Sequence, residues 1–310
     1  MAKMTMEQIL ADIRSDRVKK VILDNDAGCE FDDQYAIVHA MGSPKIELLS
    51  LNAALYACDD YPFDVSQEHS YDANMRIVNI THTDYPVYRG ASNPISSLPE
   101  IGPMDSPAAQ NIIKTAMEAD ELIYVLVTGA ITNVASAILM EPAIKDKICV
   151  IWIAANCFDL PNNDEYNLMN DYRAGQIVLN CGVPLVLVPT FSGDPKLGTA
   201  SLVSTKETFQ AIKSNSDAGV FFRETWPAEF DDSPYSYTHG GSDWRRIVWD
   251  IAVTGILTIP DSYTFSIIPA PVFTDDVQVA YDSTRHKIIY MDTMDPKAVF
   301  ADVFAAIDRI

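Results

Sequence analysis

The sequence predicts a single α/β domain in which helices flank a mostly parallel β-sheet. Apolar runs rich in β-branched residues alternate along the chain with stretches whose apolar residues recur at helical spacing. This alternation is typical of parallel sheets covered by helices on both faces. We find no internal repeat and no Pro/Gly/Ser linker, so we expect residues 1–310 to form one domain.

The individual elements follow from these patterns. The predicted strands are residues 18–23, 46–55, 122–127, 148–154 and 183–188. The predicted helices are residues 32–41, 70–79, 108–119, 133–140 and 171–181, and residues 1–17 also have a helical pattern. Because ligands of parallel α/β folds bind at the carboxyl ends of the strands, residues that follow a strand are the first candidates for a functional site.

Composition narrows the function classes. The chain has 22 Lys and Arg residues against 43 Asp and Glu, a formal net charge of −21, which disfavours nucleic acid and anionic membranes as partners. No apolar run reaches the ~18 residues that a membrane span needs, and the N-terminus does not have the pattern of a signal peptide. Five scattered cysteines without a CxxC pair fit reduced thiols. These observations predict a cytoplasmic protein.

The first predicted strand runs into a dense group of carboxylates. Within ten residues the chain carries Asp24, Asp26, Glu30, Asp32 and Asp33. Packed together, these charges would raise one another's pKa values, so the group favours a bound cation. Oxygen ligands select Ca²⁺ or Mg²⁺ rather than Zn²⁺. Gly28 would allow the sharp turn that returns Asp26 towards the later pair. A solvated acidic loop is the alternative interpretation.

Residues 24–34 resemble the N-terminal signature of the calcium-dependent nucleoside hydrolases of the inosine-uridine-preferring type. Three later segments are similar to motifs of that family in the same order, namely residues 127–135, 165–167 and 249–252. The resemblance implies the Rossmann-like fold of the family, with the active site at the carboxyl ends of the strands. It also implies hydrolysis of the N-glycosidic bond of ribonucleosides, or close N-ribosides, to ribose and free base in purine or pyrimidine salvage.

The resemblance also implies a metal site and a general base. Ca²⁺ would be bound by the side chains of Asp26, Asp33 and Asp250 and by the backbone carbonyl of Thr128. Asp26 would activate the Ca²⁺-bound water as the general base. Asp250 is a candidate on its own terms, because a lone carboxylate at the start of an apolar helix is costly unless it is paired or bound to a metal.

The remaining roles concern the substrate. Asp32 and Asn167 would hydrogen-bond the ribose 2′- and 3′-hydroxyls, Glu165 would bind the 5′-hydroxyl, and Asn156 could face the sugar. Asp24 would orient the loop. For the polar residues Glu165 and Asn167, an ordinary role in a loop remains open.

Several positions depart from the family's pattern. Glu30 and Phe31 lengthen the signature by two residues, which matches a variant branch, and Glu30 could replace or supplement a metal ligand. Trp249 stands where the family has a histidine that can protonate the leaving base, and we assign it to substrate binding. Residues 154–155 are alanines in place of a glycine pair, and we find no counterpart of the asparagine after the second strand.

Residues 221–244 break the alternation with many aromatic residues, and we expect them to form a flap over the site. His239 could reach a bound base, although a solvated loop histidine is the simpler interpretation. The aromatic residues that could stack on a base are Trp226, Tyr235, Tyr237 and Trp244. Either the base departs without a proton from the protein, or His239 or Tyr237 donates it.

Two other functions remain open at this point. A Mg²⁺-dependent phosphatase of the haloacid dehalogenase type also uses a strand-end Asp24-x-Asp26 and a threonine such as Thr128. A non-catalytic nucleoside or ribose binder would account for the missing histidine. Homo-oligomerisation, as a dimer or tetramer, is expected only from the resemblance.

Overall fold

The computed structural model describes residues 3–225 and 245–310. Its strands are β1 (Lys19–Asn25), β2 (Ile46–Ala53), β3 (Val87–Arg89), β4 (Ile123–Val127), β5 (Ile148–Ile153), β6 (Leu185–Val188), β7 (Val203–Ser204), β8 (Arg246–Ile247), β9 (Tyr263–Pro269), β10 (Val272–Phe273), β11 (Val279–Ala280) and β12 (Lys287–Met294). Its α-helices are α1 (Met6–Arg14), α2 (Asp32–Gly42), α3 (Phe63–Ile80), α4 (Pro107–Glu118), α5 (Thr132–Met140), α6 (Tyr166–Asn170), α7 (Tyr172–Cys181), α8 (Lys206–Phe209), α9 (Asp217–Val220), α10 (Ile251–Thr258) and α11 (Pro296–Ile307).

An eight-stranded sheet in the order β3-β2-β1-β4-β5-β6-β12-β9 forms the centre of the molecule. Neighbouring strands are parallel except at the edge, where β9 runs antiparallel to β12. The prediction of a single α/β domain with a mostly parallel sheet is therefore confirmed. All five predicted strands are present, and the sheet gains β3, β9 and β12, which the sequence analysis did not identify.

The central strands are buried on both faces. In β4, Tyr124 and Leu126 belong to one hydrophobic core and Val125 and Val127 to the other, as the period of two in a strand requires. Helices α1, α2, α3, α10 and α11 pack on the first face, and α4, α5 and α7 on the second. This two-sided burial explains why these strands are continuous apolar runs in the sequence.

The parallel arrangement brings the carboxyl ends of β1, β2, β4, β5 and β6 to the same edge of the sheet. Helix α2 begins seven residues after β1 and α5 begins five residues after β4. The residues that carry the predicted chemistry therefore lie at this edge.

The start of the predicted flap belongs to the core. Phe221–Thr225 forms a short π-helical turn, and Phe222 is fully buried. Its ring centroid lies 4.7 Å from that of Tyr35, whose hydroxyl donates to the Phe222 carbonyl at 2.6 Å. The other flap residues that we singled out, Trp226, Tyr235, Tyr237, His239 and Trp244, lie outside the described residues. Within residues 3–225 and 245–310, no helix combines the length and apolar character needed to cross a membrane.

Candidate active site

A cavity of about 520 Å³ opens at the carboxyl edge of the sheet. Residues that follow β1, β2, β4, β5 and β6 line it, together with the residues that lead into α10. Seven of the lining side chains are carboxylates, namely Asp26, Glu30, Asp32, Asp33, Asp59, Glu165 and Asp250. Thr128, Asn167 and Trp249 also line the cavity. The structure thus brings together all the residues assigned to metal and substrate, except Asn156 and the undescribed His239.

Three carboxylates form the centre of the site. One oxygen each from Asp32, Asp33 and Asp250 lie within 4.8 Å of one another, and all three residues are buried. The carboxyl group of Asp26 hydrogen-bonds that of Asp33. Asp32, which we assigned only to the ribose, therefore lies within the same 4.8 Å of the predicted ligands Asp33 and Asp250.

Burial dominates the electrostatics of this centre. It raises the pKa of Asp32 and of Asp33 to about 7, and it raises the pKa values of Asp26 and Asp250 well above their ordinary range. The neighbouring carboxylates raise the pKa of Asp26 and of Asp250 further, because like charges disfavour ionisation. The group therefore holds shared protons or binds a cation, and its oxygen-only donor set fits a hard ion such as Ca²⁺ or Mg²⁺.

Two helix N-termini meet at the centre. Asp32 and Asp33 occupy the first turn of α2, and Asp250 is the N-cap residue of α10 without using its side chain as a cap. The partial positive charge of each helix start favours carboxylates at these positions. This is a local reason why acidic residues are tolerated in such a buried place.

Glycines allow close backbone approach around Asp26. A Cβ atom at Gly129 would lie 2.7 Å from the Asp26 Cγ, so a larger residue would displace the carboxylate. A Cβ atom at Gly28 would lie 2.6 Å from the backbone nitrogen of Ser70 in α3. Gly28 does not have a positive φ. The expected turn is present, because residues 27–29 form a turn that the Cys29 backbone nitrogen closes by donating to the Asp26 carbonyl at 2.7 Å. The glycine itself is required for close packing of this turn on α3.

Thr128 and Asn167 join the ends of β4 and β5. The Thr128 hydroxyl donates to Asp33 Oδ1 at 2.7 Å. The Asn167 side-chain amide donates to the carbonyls of Thr128 at 3.2 Å and Ile153 at 3.1 Å. These bonds use the amide nitrogen, which leaves the Asn167 Oδ1 as an acceptor at the cavity.

Glu165 caps α6 and lines the cavity at the same time. Its carboxylate accepts hydrogen bonds from the backbone nitrogens of Asn167 at 3.1 Å and of Leu168 and Ala155 at 3.0 Å. Burial nevertheless raises the pKa of Glu165 to about 7. Ala155 has a φ of 65°, in the left-handed region that favours glycine. Glu165 is therefore a helix cap, a role that the sequence did not indicate, and it also lies at the cavity.

Asp24 lies behind the cavity and is fully buried. It accepts hydrogen bonds from the side-chain amides of Asn133 at 3.1 Å and Asn52 at 3.3 Å. Burial raises its pKa to about 7 in spite of these donors. Asn52, near the end of β2, is a partner that the sequence analysis missed, because no motif singled it out.

Residues after β6 occupy the position at the cavity wall that we expected for Asn156. The Asn156 Oδ1 accepts a hydrogen bond from the Thr190 hydroxyl at 3.1 Å, and Thr190 and Phe191 are the residues that line the cavity. The Phe191 ring meets that of Trp249 edge to face, with centroids 4.8 Å apart. The backbone nitrogen of Trp249 in turn donates to Asp32 Oδ2 at 2.9 Å. The strand-end rule, applied to the fifth predicted strand, would have found Thr190 and Phe191.

The added residue Glu30 faces a buried arginine. Arg246 Nη2 lies 3.4 Å from Glu30 Oε1, and Arg246 is only 2% exposed. Burial raises the pKa of Glu30 to about 7, although Arg246 opposes the shift. Arg246 was not identified from the sequence, because it is 216 residues away along the chain.

Comparison with known proteins identifies the family. The family model described as "Inosine-uridine preferring nucleoside hydrolase" matches residues 21–299. The chain belongs to this family. It is therefore an enzyme of the N-glycosyl hydrolase class, and the family match does not favour the phosphatase alternative.

Curated relatives of this nucleoside hydrolase are distant in sequence. The pyrimidine-specific ribonucleoside hydrolase RihB of Escherichia coli (strain SE11) is 25% identical over 266 residues, which are 78% of this chain and 79% of RihB. The pyrimidine-specific ribonucleoside hydrolase RihA of Escherichia coli O45:K1 (strain S88 / ExPEC) is 28% identical over 191 residues, which are 54% of this chain and 58% of RihA.

Solved structures share the fold of this nucleoside hydrolase. A plant nucleoside hydrolase, the PpNRh1 enzyme, superimposes with a TM-score of 0.72 at 18% identity and covers 94% of this chain and 99% of its own. The purine-preferring ribonucleoside hydrolase from Gardnerella vaginalis has a TM-score of 0.69 at 18% identity, with 94% and 98% covered. The names of these relatives differ in the base they specify, so they do not define the base for this chain.

Proposed function

We propose that the protein hydrolyses the N-glycosidic bond of ribonucleosides, or of close N-ribosides, to ribose and free base. The observation that carries the proposal is the gathering of Asp26, Asp32, Asp33 and Asp250 around one cavity that Glu165 and Asn167 also line. A cavity of about 520 Å³ has room for a small molecule of nucleoside size.

The donor set supports a hard cation, and we propose Ca²⁺. Asp26, Asp33 and Asp250 would hold it through their carboxylates and Thr128 through its carbonyl, and the position of Asp32 makes it a further candidate ligand. When bound, the cation would keep the surrounding carboxylates ionised and make a water molecule at the site more acidic.

The protein's own groups would divide the reaction between them. Asp26 would accept the proton of the attacking water as general base. Asp32, with the Asn167 Oδ1, would accept hydrogen bonds from the ribose 2′- and 3′-hydroxyls, and Glu165 would bind the 5′-hydroxyl. As the C–N bond breaks, positive charge develops on the ribosyl ring, and the surrounding carboxylates would stabilise it. A hydroxyl-binding pocket of this kind discriminates against sugars that lack one hydroxyl.

Release of free ribose tests the proposal. The purified protein, supplied with Ca²⁺, is incubated with inosine, uridine, adenosine and an N-riboside, and the reducing sugar is measured. We expect ribose in the presence of Ca²⁺ and none after chelation. Binding of a riboside without ribose release would instead support the non-catalytic binder, and phosphate release from a phosphomonoester with Mg²⁺ would support the phosphatase. A cytoplasmic location and a dimer or tetramer remain predictions from the sequence.

A further inference from the structure

We propose that the preferred substrate is an N-riboside whose base is a cationic, pyridinium-type ring rather than a neutral purine or pyrimidine. The inference rests on the proposed ribosidase function and names the substrate class of the same cavity. Three features support it: the charge of the cavity wall, the aromatic pair beside the ribose site, and the chemistry of the leaving group.

The cavity wall carries negative charge almost exclusively. Seven carboxylates line it, and the lining residues within the described part of the chain include no Lys, Arg or His. A divalent cation on three of these carboxylates, and Arg246 beside Glu30, would leave an excess of negative charge. A concave wall of one sign focuses the field and raises the local concentration of the opposite charge. Such a cavity attracts a cationic riboside and repels a phosphorylated one.

One exposed carboxylate of the cavity, Asp59, is free to contribute to this selection. Asp59 is exposed at the cavity, belongs to the loop after β2 and is not among the carboxylates that we assign to metal or ribose. Its charge is therefore available to a substrate, and it provides a site where charge can be removed without disturbing the carboxylates that we assign to metal and ribose.

The aromatic pair supplies the second feature. Phe191 is 43% exposed at the cavity and packs edge to face on Trp249. The Trp249 backbone bonds Asp32, so the pair adjoins the carboxylate that we assign to the ribose. An aromatic face attracts a cation through its quadrupole by roughly 0.5–2 kcal/mol, and it stacks with any planar base. A cationic ring gains from both effects, whereas a neutral base gains from stacking alone.

The leaving group provides the third feature. A neutral base departs as an anion unless a group protonates it, whereas a cationic base needs no proton. The described lining residues include no imidazole or ammonium, so a neutral base would depend on a carboxyl group of the wall, such as Glu30, for its proton. The Tyr166 hydroxyl already donates to the Ala57 carbonyl at 2.6 Å. The Thr190 hydroxyl is shared between the Ala155 carbonyl and Asn156 Oδ1, each at 3.1 Å.

A pyridinium base avoids this problem. When the bond between C1′ and the ring nitrogen breaks, its electron pair cancels the positive charge of the ring and the base leaves neutral. The oxygen of water forms the new bond to C1′, and the released proton passes to Asp26 and then to solvent. The cationic riboside and water thus give ribose, neutral base and one proton.

Four ribosides test the proposal on the wild-type, Ca²⁺-loaded protein. The kcat/KM is measured for nicotinamide riboside, which is cationic, for nicotinic acid riboside, whose carboxylate cancels that charge, and for uridine and inosine, with uncatalysed rates subtracted. We expect nicotinamide riboside to exceed uridine and inosine by about tenfold or more, and nicotinic acid riboside by about fivefold or more. The comparison between nicotinamide riboside and nicotinic acid riboside is decisive, because both release a pyridine and they differ in net charge.

Equal kcat/KM values for the two pyridinium ribosides, or faster cleavage of uridine or inosine, would overturn the substrate class and leave ribonucleoside hydrolysis intact. If none of the four releases ribose, the proposed function fails and the substrate class fails with it. The two failures are therefore distinguishable.

Variants test which side chains produce the preference for a cationic riboside. Asp59→Asn should narrow the ratio between the two pyridinium ribosides by about threefold, since it removes one charge from the wall. Asp60→Asn, its exposed neighbour that does not line the cavity, is the matched control and should leave the ratio unchanged. Phe191→Leu should lower kcat/KM more for nicotinamide riboside than for uridine. An unchanged ratio in Asp59→Asn together with equal losses in Phe191→Leu would contradict the proposal.

Discussion

Asp26 is the residue on which the proposed chemistry depends most. It is 3% exposed, lies against Gly129 and shares a hydrogen bond with Asp33. Burial and the neighbouring carboxylates together raise its pKa, which is the environment of a group adapted to exchange protons.

Asp26→Asn should fold normally and lose nearly all hydrolysis. The amide has almost the same shape and can still hydrogen-bond Asp33, but it cannot accept the proton of water. Single-turnover ribose release measures the loss, with circular dichroism and Ca²⁺ content as controls for folding and metal binding. Activity within about tenfold of wild type, a difference of only ~1.4 kcal/mol, would show that Asp26 is not the base.

Asp33 and Asp250 should be required for metal binding. Each contributes one of few charged oxygens to the centre, so Asp33→Ala or Asp250→Ala should abolish the single tightly bound Ca²⁺ that we expect per chain. Elemental analysis of the purified proteins measures this, and Asp60→Asn, an exposed acidic residue, serves as the control. Stoichiometric Zn²⁺, or full Ca²⁺ retention in both alanine variants, would contradict the assignment.

At the scale of elements, the packing of α2 against α10 sets the distance between the carboxylates. His39 is fully buried in α2, and its ring bonds Thr254 of α10 at 2.7 Å and Asp302 of α11 at 2.9 Å. The structure gives it a specific role, because it connects the helices that begin with Asp32 and Asp250.

His39→Ala should therefore lower both stability and metal affinity, although it lies remote from the cavity. Loss of the fully buried ring leaves a cavity between the helices and removes the hydrogen bonds to Thr254 and Asp302, which together cost about 2–4 kcal/mol. Urea denaturation measures the stability and Ca²⁺ titration measures the affinity. His82→Ala removes a histidine whose hydrogen bond with Asp217 is exposed, and it should change both values little. Equal effects of the two variants would refute this role of His39.

At the scale of the whole molecule, buried carboxylates couple folding to pH and to the metal. Asp24, Asp32, Asp33 and Glu165 all have pKa values raised to about 7 by burial. Because folding favours their protonated forms, their contribution to stability is complete below their ordinary pKa values near 4. It is lost as the pH rises through about 7. The net charge of −21 adds repulsion in the same direction.

The metal-free protein should thus be less stable at pH 8 than at pH 5.5, with a melting temperature lower by several degrees. Ca²⁺ should raise the melting temperature more at pH 8, because it binds the ionised carboxylates of the folded state. Calorimetry with chelator or with Ca²⁺ at both pH values measures this. A metal-free protein that becomes more stable between pH 5.5 and pH 8 would contradict the linkage.

The sequence alone determined the elements that local pattern controls. Continuous apolar runs predicted β1, β2, β4, β5 and β6, because strands buried on both faces must be apolar throughout. The acidic signature after β1 predicted the centre of the site, because the carboxyl ends of parallel strands meet at one edge. The two edge strands β3 and β9, and β12 beside β9, were missed, since they carry weaker apolar patterns.

Only the tertiary structure decided which residues meet across long separations. Phe191 reaches Trp249, Glu30 reaches Arg246, and Thr190 takes the wall position expected for Asn156. The close packing of Gly28 on α3, within the turn that the sequence predicted, likewise appeared only in the tertiary structure. Periodicity and motif spacing describe neighbours along the chain, whereas these contacts depend on the order of the strands and on how the helices pack on the sheet. That order is fixed by burial of the whole core, which no short segment specifies by itself.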